Sequence, residues 1–263
     1  MSSELSYASQ PQDEAPIVEP KPQNHFSRIF GVLISPGETF QEIGRAPRVL
    51  IPIIVVGLIM GFMNFIVTNR LGAENTIRKQ AEPMMRSMGV PEEQIEREVQ
   101  KAVADAGTTW GKIKGPLFAL IGFAVLLLAV AGIFKLFTMM MGATNRFKPV
   151  LSVITYAYLG IGLIQAVLIT ISVYLQNPED IDIMNPVSSN LGGLLNVVGV
   201  TLPKFVSGLA SFVDVFGIWR IILLGIGCAA VTHKMKSGTA AIPHIILYCI
   251  AALLLAAVGS MFG

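Results

Sequence analysis

Charged residues are scarce in this sequence. Only 14% of the 263 residues are Asp, Glu, Lys or Arg, while 53% are hydrophobic. A soluble domain carries about 25% charged residues, because charge keeps its surface hydrated. The shortage excludes an ordinary soluble domain and indicates that lipid is the solvent. The net charge of +2, with no run of basic residues, also argues against a nucleic-acid partner.

Cysteine, histidine and the common catalytic motifs are equally scarce. The two cysteines, Cys228 and Cys249, lie in apolar stretches and are too few for a disulfide framework. The patterns HExxH, GxSxG and GxxxxGK followed by Ser or Thr do not occur. Metal ligation needs three or four converging donors, and we expect His233, His244 and the cysteines to be packing or interface residues instead. We therefore expect no catalytic residue, metal or cofactor, and hence no enzyme.

Long apolar segments stand in place of the missing charge. An α-helix needs about 20 apolar residues to cross about 30 Å of hydrocarbon. Helices are expected, because an open sheet would leave backbone groups unpaired in lipid. The sequence therefore predicts an all-α bundle of five transmembrane helices. The predicted spans are residues 49–68, 116–141, 150–175, 212–232 and 242–262.

Two short amphipathic helices are predicted ahead of the first span. A second helix is expected to begin at Pro36, with Ser35 as its N-cap and Glu38 completing a capping box. Both helices are long enough to lie in the membrane interface and too short to cross it. Residues 1–24 are polar and are predicted to be a disordered tail ahead of the membrane domain, 25–263. The first helix, residues 25–34, carries four apolar residues at helical spacing: Phe26, Ile29, Phe30 and Leu33.

Two polar segments separate the spans. Residues 69–115 are predicted to form a helical hairpin, with one helix over about 74–88 that ends at Gly89 and another that begins at Pro91. Its charged surface is either a solvated face or a partner-binding surface. The segment after span three is rich in turn residues and leads, from about Leu202, into a further amphipathic helix. These turn residues include Asn177, Pro178, Asp180, Asp182, Asn185, Pro186, Asn190 and Gly192.

Four polar residues fall within or beside the predicted spans, where polar groups are costly and often functional. Lys135 is near enough to the end of span two to reach the interface. An Arg at mid-helix costs about 2.5–3.5 kcal/mol, which the Ile and Leu residues around Arg220 offset. Asp214 lies on a different side of the same helix from Arg220. Gln165 of span three is therefore the candidate hydrogen-bond partner of Arg220.

Small residues form two stripes that allow close helix packing. Gly57 and Gly61 form a GxxxG pattern in span one. Ala252, Ala256 and Ser260 recur at intervals of four in span five. Each stripe is either a packing face inside one bundle or the face of a dimer.

Basic residues favour a cytoplasmic N-terminus and an outside C-terminus, because cytoplasmic loops carry more Lys and Arg. The 69–115 segment conflicts with this orientation, since it would place many basic residues outside. Every other segment agrees with it. The predicted cytoplasmic segments contain Lys21, Arg28, Arg45, Arg48, Arg146, Lys148, Lys234 and Lys236.

Several motifs resemble a known family. They are residues 35–40 (SPGETF), 147–157 (FKPVLSVITYA), 177–192 (opening NPEDIDIMNP) and 214–219 (DVFGIW). In order and type they resemble the Yip family of membrane proteins (Ypt-interacting proteins), specifically its bacterial branch. The resemblance covers about residues 25–263 and implies five spans, a cytoplasmic N-terminus and an outside C-terminus. Eukaryotic members are linked to Rab-type GTPases and vesicle traffic, whereas the bacterial branch brings no defined activity. Arg220 departs from the apolar or small polar residue that the resemblance implies there.

The sequence thus predicts a non-enzymatic protein of the inner membrane with a membrane-organising or adaptor role. Membrane lipid is the expected partner, and a homodimer or other membrane proteins are further candidates. The alternative is a subunit of a small-solute transporter or channel, for which Gln165, Arg220 and the glycines near them would supply midplane groups.

Overall fold

The computed structural model of the protein describes residues 24–183, 187 and 189–262. The described chain is helical, and its two isolated β-bridges, Asn145 with Thr232 and Asn190 with Asp214, form no sheet. Of the predicted disordered tail, only Asn24 lies within the described residues. The first five helices are α1 (His25–Ile34), α2 (Pro36–Arg45), α3 (Leu50–Leu71), α4 (Ala73–Ser87) and α5 (Glu92–Gly107). The next six are α6 (Thr109–Met140), α7 (Phe147–Leu175), α8 (Leu191–Val197), α9 (Lys204–Ser211), α10 (Val215–Ala230) and α11 (Ser237–Phe262).

The predicted all-α fold is confirmed, and the five predicted spans correspond to α3, α6, α7, α10 and α11. Four of these are long and apolar enough to cross a membrane, and only 17–22% of the residues in their apolar stretches are buried inside the chain. Their outward surfaces are rich in apolar side chains, as lipid contact requires. The fourth span is shorter than predicted. It begins at Val215, not at residue 212, and its 16 residues rise about 24 Å.

The first half of α7 is the centre of the bundle. Pro149–Ala157 is buried continuously, because α1, α2, α3, α6 and α10 all pack around this helix. Such all-round burial explains why the segment carries Val, Ile, Ser, Thr and Ala with no charge. Thr155 satisfies its own hydroxyl by donating to the Leu151 carbonyl at 2.7 Å. Polar side chains that do enter this core are therefore hydrogen-bonded.

The two helices before the first span lie where the sequence predicted them, but the turn between them differs in detail. Asn24 caps α1 by accepting from the Ser27 N–H at 2.8 Å. The predicted capping box at Ser35 is wrong, since the Ser35 side chain makes no cap hydrogen bond. Its ψ of 64° lies outside the extended range in which an N-cap side chain reaches the first turn. The Ser35 N–H instead closes α1 by donating to the Gly31 carbonyl at 2.8 Å.

The helical hairpin formed by α4 and α5 lies at the opposite end of the bundle from α1 and α2. Lys79 Nζ donates to the backbone carbonyls of Glu179 and Ile181, at 2.8 and 2.7 Å. Arg70 Nη2 donates to the Gln176 carbonyl at 3.2 Å. The hairpin and the segment after α7 therefore share one end, called here the hairpin end. The other is called the α1 end.

Candidate functional site

A buried ion pair joins the first two helices. Arg28 of α1 is fully buried, and its Nη2 donates to Glu42 Oε1 of α2 at 2.7 Å. Its guanidinium carbon lies 5.8 Å from the centre of the Tyr156 ring of α7, within cation–π range. A buried charge is stable only when it is paired. The pair therefore fixes α1 and α2 against each other and against α7.

His25 makes a second contact with the same tyrosine. Its Nδ1 lies 2.6 Å from the Tyr156 hydroxyl, and its Nε2 lies 3.5 Å from Arg48 Nη1. A guanidinium only donates, so Nε2 is the acceptor and Nδ1–H donates to the tyrosine oxygen. Burial, together with the charges of Arg48 and Arg28, lowers the pKa of His25 from its usual value. The imidazole is therefore neutral at pH 7.

Ser152 fixes the linker between α2 and α3. Its Oγ accepts from the Arg48 backbone N–H at 3.1 Å and donates to the Arg48 carbonyl at 2.9 Å. Ser152 is fully buried, so both functions of its hydroxyl are satisfied inside the chain. Six side chains thus attach α1, α2 and the linker to α7. This docking cluster comprises His25, Arg28, Glu42, Arg48, Ser152 and Tyr156.

The opposite face of α1 is apolar and uncovered. Phe26, Phe30 and Ile34 are 75%, 53% and 79% exposed, whereas Ile29 and Val32 are buried against the bundle. The helical spacing of the apolar residues predicts one apolar face for this helix. In the structure these residues divide between an inner face and an outer face. The reason is that Arg28, which pairs with Glu42, turns its own side of the helix inward. α1 therefore has an inner face that attaches it and an outer face that suits a membrane interface.

Sequence reasoning missed the docking cluster, although one pattern could have found part of it. Arg28 and Glu42 stand equally far from Ser35, one on each side. In a pair of short helices that fold back at Ser35, such positions face each other. Because Arg28 and Glu42 carry opposite charges and each lies beside an apolar stripe, their positions indicate an ion pair between the two helices. Tyr156 and Ser152 gave no comparable pattern, because they are distant in sequence and lie in an apolar run.

Arg220 and Gln165 contact each other between α10 and α7, as the sequence suggested. Arg220 Nη2 donates to Gln165 Oε1 at 3.3 Å. The guanidinium also lies 4.9 Å from the centre of the Tyr158 ring. A cavity of about 440 Å³ adjoins the pair, with Asp214 and Tyr248 in its wall. These five residues are called the Arg220 cluster.

Asp214 and Asn190 serve as helix caps. Asp214 Oδ2 accepts from the Gly217 N–H at 2.8 Å, and its Oδ1 accepts from the Ser189 hydroxyl at 2.7 Å. Asn190 Oδ1 accepts from the Gly193 N–H at 2.7 Å. Satisfying the first N–H groups of a helix is the ordinary work of Asp and Asn at this position. Asp214 therefore begins α10 and lies before the span, which explains why the span is shorter than predicted.

The other residues of the motif loop are mainly turn formers. Asn177 Nδ2 donates to Asp180 Oδ2 at 3.0 Å, across the turn that contains Pro178. Gly192 lies against α9, where an added Cβ would stand 3.1 Å from the Ser207 carbonyl oxygen. Asp182 lines a cavity beside α4. Asn185 and Pro186 lie outside the described residues.

Lys135 and the buried Cys228 are held by contacts inside the chain. Lys135 reaches the α1 end, where its Nζ donates to the Asn145 carbonyl at 2.7 Å. Cys228 Sγ lies 3.6 Å from His244 Nε2, and the His244 ring stacks on Phe134. Across the described residues, no three His, Cys, Asp or Glu side chains come together in a group that would hold a metal.

The GxxxG pattern of span one divides between two environments. A Cβ added to Gly57 would stand 2.8 Å from Leu120 Cδ1 of α6. No atom lies within 4 Å of the corresponding position at Gly61. Gly57 therefore permits a close approach of α3 and α6 inside the chain, whereas Gly61 faces open space.

The stripe of span five packs against α9. Ala252 and Ala256 are buried. A Cβ added to Gly208 of α9 would stand 3.0 Å from Ala256 Cβ. Ser260, the third member, donates its hydroxyl to the Ala257 carbonyl at 2.8 Å. Gly225 permits a further close approach, between α10 and α11, that the small-residue stripes did not predict. A Cβ added to Gly225 would stand 3.0 Å from Ala241 Cβ of α11.

Comparison with known proteins settles the family. A family model described as the Yip1 domain matches residues 30–259. The chain belongs to the Yip1 domain family. The match runs from within α1 to near the end of α11. It includes the docking cluster apart from His25 and Arg28, the first four spans and most of the fifth. This protein is accordingly a multi-pass membrane protein of that family. Searches of curated proteins and of solved structures find no match.

Proposed function

We propose that this Yip1-domain protein is a non-enzymatic organiser of the bilayer, with a membrane-shaping or adaptor role. The observation that carries the proposal is the two-sided α1. Its inner face is attached to the bundle by the buried Arg28–Glu42 pair, while Phe26, Phe30 and Ile34 project from its outer face. A helix held in this way cannot retract its apolar side chains, so it acts as a fixed wedge in one leaflet.

The energetics favour insertion of that outer face. Withdrawing a large apolar side chain from water contributes about 1.5–3 kcal/mol when it is fully buried. Three such side chains in a row hold the helix at the level of the headgroups and upper acyl chains. The docking cluster transmits that position to the bundle, because α7 is packed by most of the spans. Crowding one leaflet at the α1 end would then favour a curved bilayer.

We further propose that the protein lies in the inner membrane with its N-terminus in the cytoplasm and its C-terminus outside. The basic residues of the α1 end support this orientation, because cytoplasmic segments carry more Lys and Arg. Reporter fusions at residues 10 and 238 should then read as cytoplasmic, and fusions at 95, 190 and 263 as outside. Residues 95 and 190 should report together, since Lys79 joins the two segments. A cytoplasmic signal at residue 95 would contradict the orientation.

The wedge is tested on membrane tubes pulled from giant vesicles that contain fluorescent protein with its N-terminus outward. Wild type should be enriched on the tube relative to the flat vesicle. Phe26→Ser with Phe30→Ser should lose the enrichment, because the outer face no longer enters the leaflet. Phe26→Leu with Phe30→Leu is the matched control and should retain it. Equal enrichment of the serine variant and wild type would contradict the proposal.

A second candidate function is that of a small-solute transporter or channel subunit, and the Arg220 cluster favours it. Transport sites need polar groups near the midplane, and the cavity beside Arg220 and Gln165 supplies them. Proteoliposome flux assays of wild type and Arg220→Leu test this function. If wild type shows solute flux and an Arg220→Leu variant still inserts but shows none, transport would be favoured over bilayer organisation.

A further inference from the structure

A polar cavity opens at the α1 end, apart from the docking cluster and the Arg220 cluster. It has a volume of about 730 Å³ and lies between the end of α2, the turn from α6 to α7 and the turn from α10 to α11. Its size falls within the range of small-molecule sites, about 300–1,000 Å³. Four of its lining residues carry basic side chains: Arg45, Arg146, His233 and Lys234.

No carboxylate balances these basic residues. The described lining contains no Asp or Glu, and Arg45, Arg146 and Lys234 make no salt bridge within the described chain. Like charges gathered around a concavity repel one another, and an anion inside it relieves that repulsion. The cavity therefore has the electrostatics of an anion site.

The wall behind the cations is a connected hydrogen-bond network. Asn145 Nδ2 donates to the hydroxyls of Thr138 and Thr232, at 3.0 and 3.2 Å, and joins the two turns. The His233 N–H donates to the Thr144 carbonyl at 3.0 Å. Lys234 has a φ of 55°, a conformation that a non-glycine residue adopts only when its surroundings impose it. The network therefore fixes the backbone of the two turns that carry Arg146, His233 and Lys234.

Exposed apolar side chains flank the turn from α6 to α7 that lines the cavity. Met140, Met141 and Phe147 are 87%, 53% and 41% exposed, next to Thr144, Asn145 and Arg146 in the chain. Exposed apolar residues followed at once by basic ones mark the boundary between acyl chains and headgroups. This pattern favours a position of the cavity at the level of the lipid phosphates. Basic pockets between membrane helices recognise anionic headgroups in this way.

We propose that this cavity binds the phosphate group of an anionic phospholipid, with Arg45, Arg146 and Lys234 as the principal contacts and His233 at the rim. Arginine donates two N–H groups to a phosphate in fixed geometry, and lysine adds a mobile point charge. This lipid site does not depend on the proposed effect of α1 on bilayer curvature.

Native mass spectrometry of the full chain in a neutral detergent tests the proposal. Phosphatidylglycerol should bind with one preferred site, and phosphatidylcholine should bind at least about tenfold more weakly, because its headgroup carries no net charge. Arg45→Gln, Arg146→Gln and Lys234→Gln combined should weaken phosphatidylglycerol about 100-fold, since each cation near an anionic surface contributes about fivefold. A variant with Arg97→Gln, Lys101→Gln and Lys112→Gln removes the same charge from the hairpin end and should stay within about threefold of wild type.

Several outcomes overturn the proposal. Equal binding of the two lipids would do so, as would an unchanged triple variant or an equal loss in the hairpin control. If inorganic phosphate displaced phosphatidylglycerol at comparable concentration, the cavity would be a site for soluble phosphate and the lipid assignment would be wrong. If the triple variant does not fold, Arg146→Gln alone should still weaken phosphatidylglycerol about fivefold and leave phosphatidylcholine unchanged.

Discussion

The two ends of this molecule carry similar numbers of basic residues but differ in how those residues are used. At the hairpin end, Arg78 bonds to Glu74, Glu82 and Glu96, and Arg86 lies between Glu82 and Glu92. At the α1 end, Arg28 is buried against Glu42, and Arg45, Arg146 and Lys234 line a cavity whose described lining contains no Asp or Glu. The hairpin pairs its cations with acids of its own, whereas Arg45, Arg146 and Lys234 make no salt bridge within the described chain. This pairing does not remove the conflict between the hairpin and the proposed orientation, because acidic residues contribute little to the rule that cytoplasmic loops are rich in Lys and Arg.

Proton affinities follow the same division. Hydrogen bonds that Arg78 donates to Glu96, Glu82 and Glu74 raise the pKa of Arg78, and hydrogen bonds from Arg78 and Gln100 lower the pKa of Glu96. Mutual stabilisation of charged forms is what an internal network produces. At the α1 end, burial and two arginines lower the pKa of His25 and keep it neutral. Four predictions follow for the two ends and the span that connects them.

Breaking the buried pair should have the largest effect. Glu42→Leu leaves the Arg28 charge without its partner, and such a change costs about 3–5 kcal/mol when the remaining charge is fully buried. The variant should unfold at a clearly lower temperature in detergent. Arg28→Met combined with Glu42→Leu removes both charges and should recover most of the loss. A Glu42→Leu variant as stable as wild type would show that the pair does not hold α1 and α2.

Replacing the glycines of span one comes next. Gly57→Leu would force a side chain into Leu120, and overpacking of this kind costs about 1–3 kcal/mol. Gly61→Leu is the matched control, since it points into open space and should leave the monomer's thermal stability unchanged. Crosslinking of Gly61→Leu then asks whether that open side is a dimer face. Equal destabilisation by both changes would contradict the division between the two glycines.

Salt should separate the two ends. Because the hairpin pairs are exposed, ionic screening should loosen them, while the buried Arg28 pair should be insensitive. Hydrogen exchange of α4 and α5 should therefore speed up between low and high salt, and that of α1 and α2 should not. Arg78→Gln should reproduce the high-salt behaviour of the hairpin at low salt. Uniform acceleration at both ends would contradict the difference in burial.

Acidification should have the smallest effect. His25 binds its proton less readily in the folded chain than in the unfolded one, so stability falls as pH drops below 6.5 and levels off below the folded pKa. Other groups titrate in the same range, so the measurement is the difference in melting temperature between wild type and His25→Gln. The melting temperature of wild type should fall relative to that of His25→Gln as pH drops through this range. A constant difference would mean that His25 is not held neutral by Arg48 and Arg28.

Much of the fold follows from local patterns, and the exceptions have physical causes. The bounds of α1 and the start of α2 at Pro36 were predicted correctly, because the preference for Pro at the first helical position is local. The start of α6 was placed at residue 116, whereas Thr108 caps the helix by accepting from Gly111 N–H at 2.9 Å. Hydropathy indicates where the apolar run of α6 begins but not where the helix itself begins. Polar residues such as Lys112 are part of the same helix.

The sites are harder to predict than the helices. Gln165 and Arg220 could be matched because each is a rare polar group in a span. Arg45, Arg146 and Lys234 could not be gathered in this way, because each lies in a different polar segment where basic residues are ordinary. Only the packing of α2, α7 and α10 brings those segments to one cavity. Long-range juxtaposition of common residues leaves no trace in a single sequence.

The position of α1 relative to the bilayer is the central claim, and spin-label accessibility measures it most directly. Cys228→Ala and Cys249→Ala remove the native thiols, after which a nitroxide is attached at Phe30→Cys or Arg97→Cys in a lipid-reconstituted protein. We expect the label at position 30 to be relaxed by oxygen and shielded from a water-soluble nickel chelate, at a shallow depth. The label at position 97 should show the reverse. Equal access of the nickel chelate to both positions would show that α1 lies in water and would contradict the account.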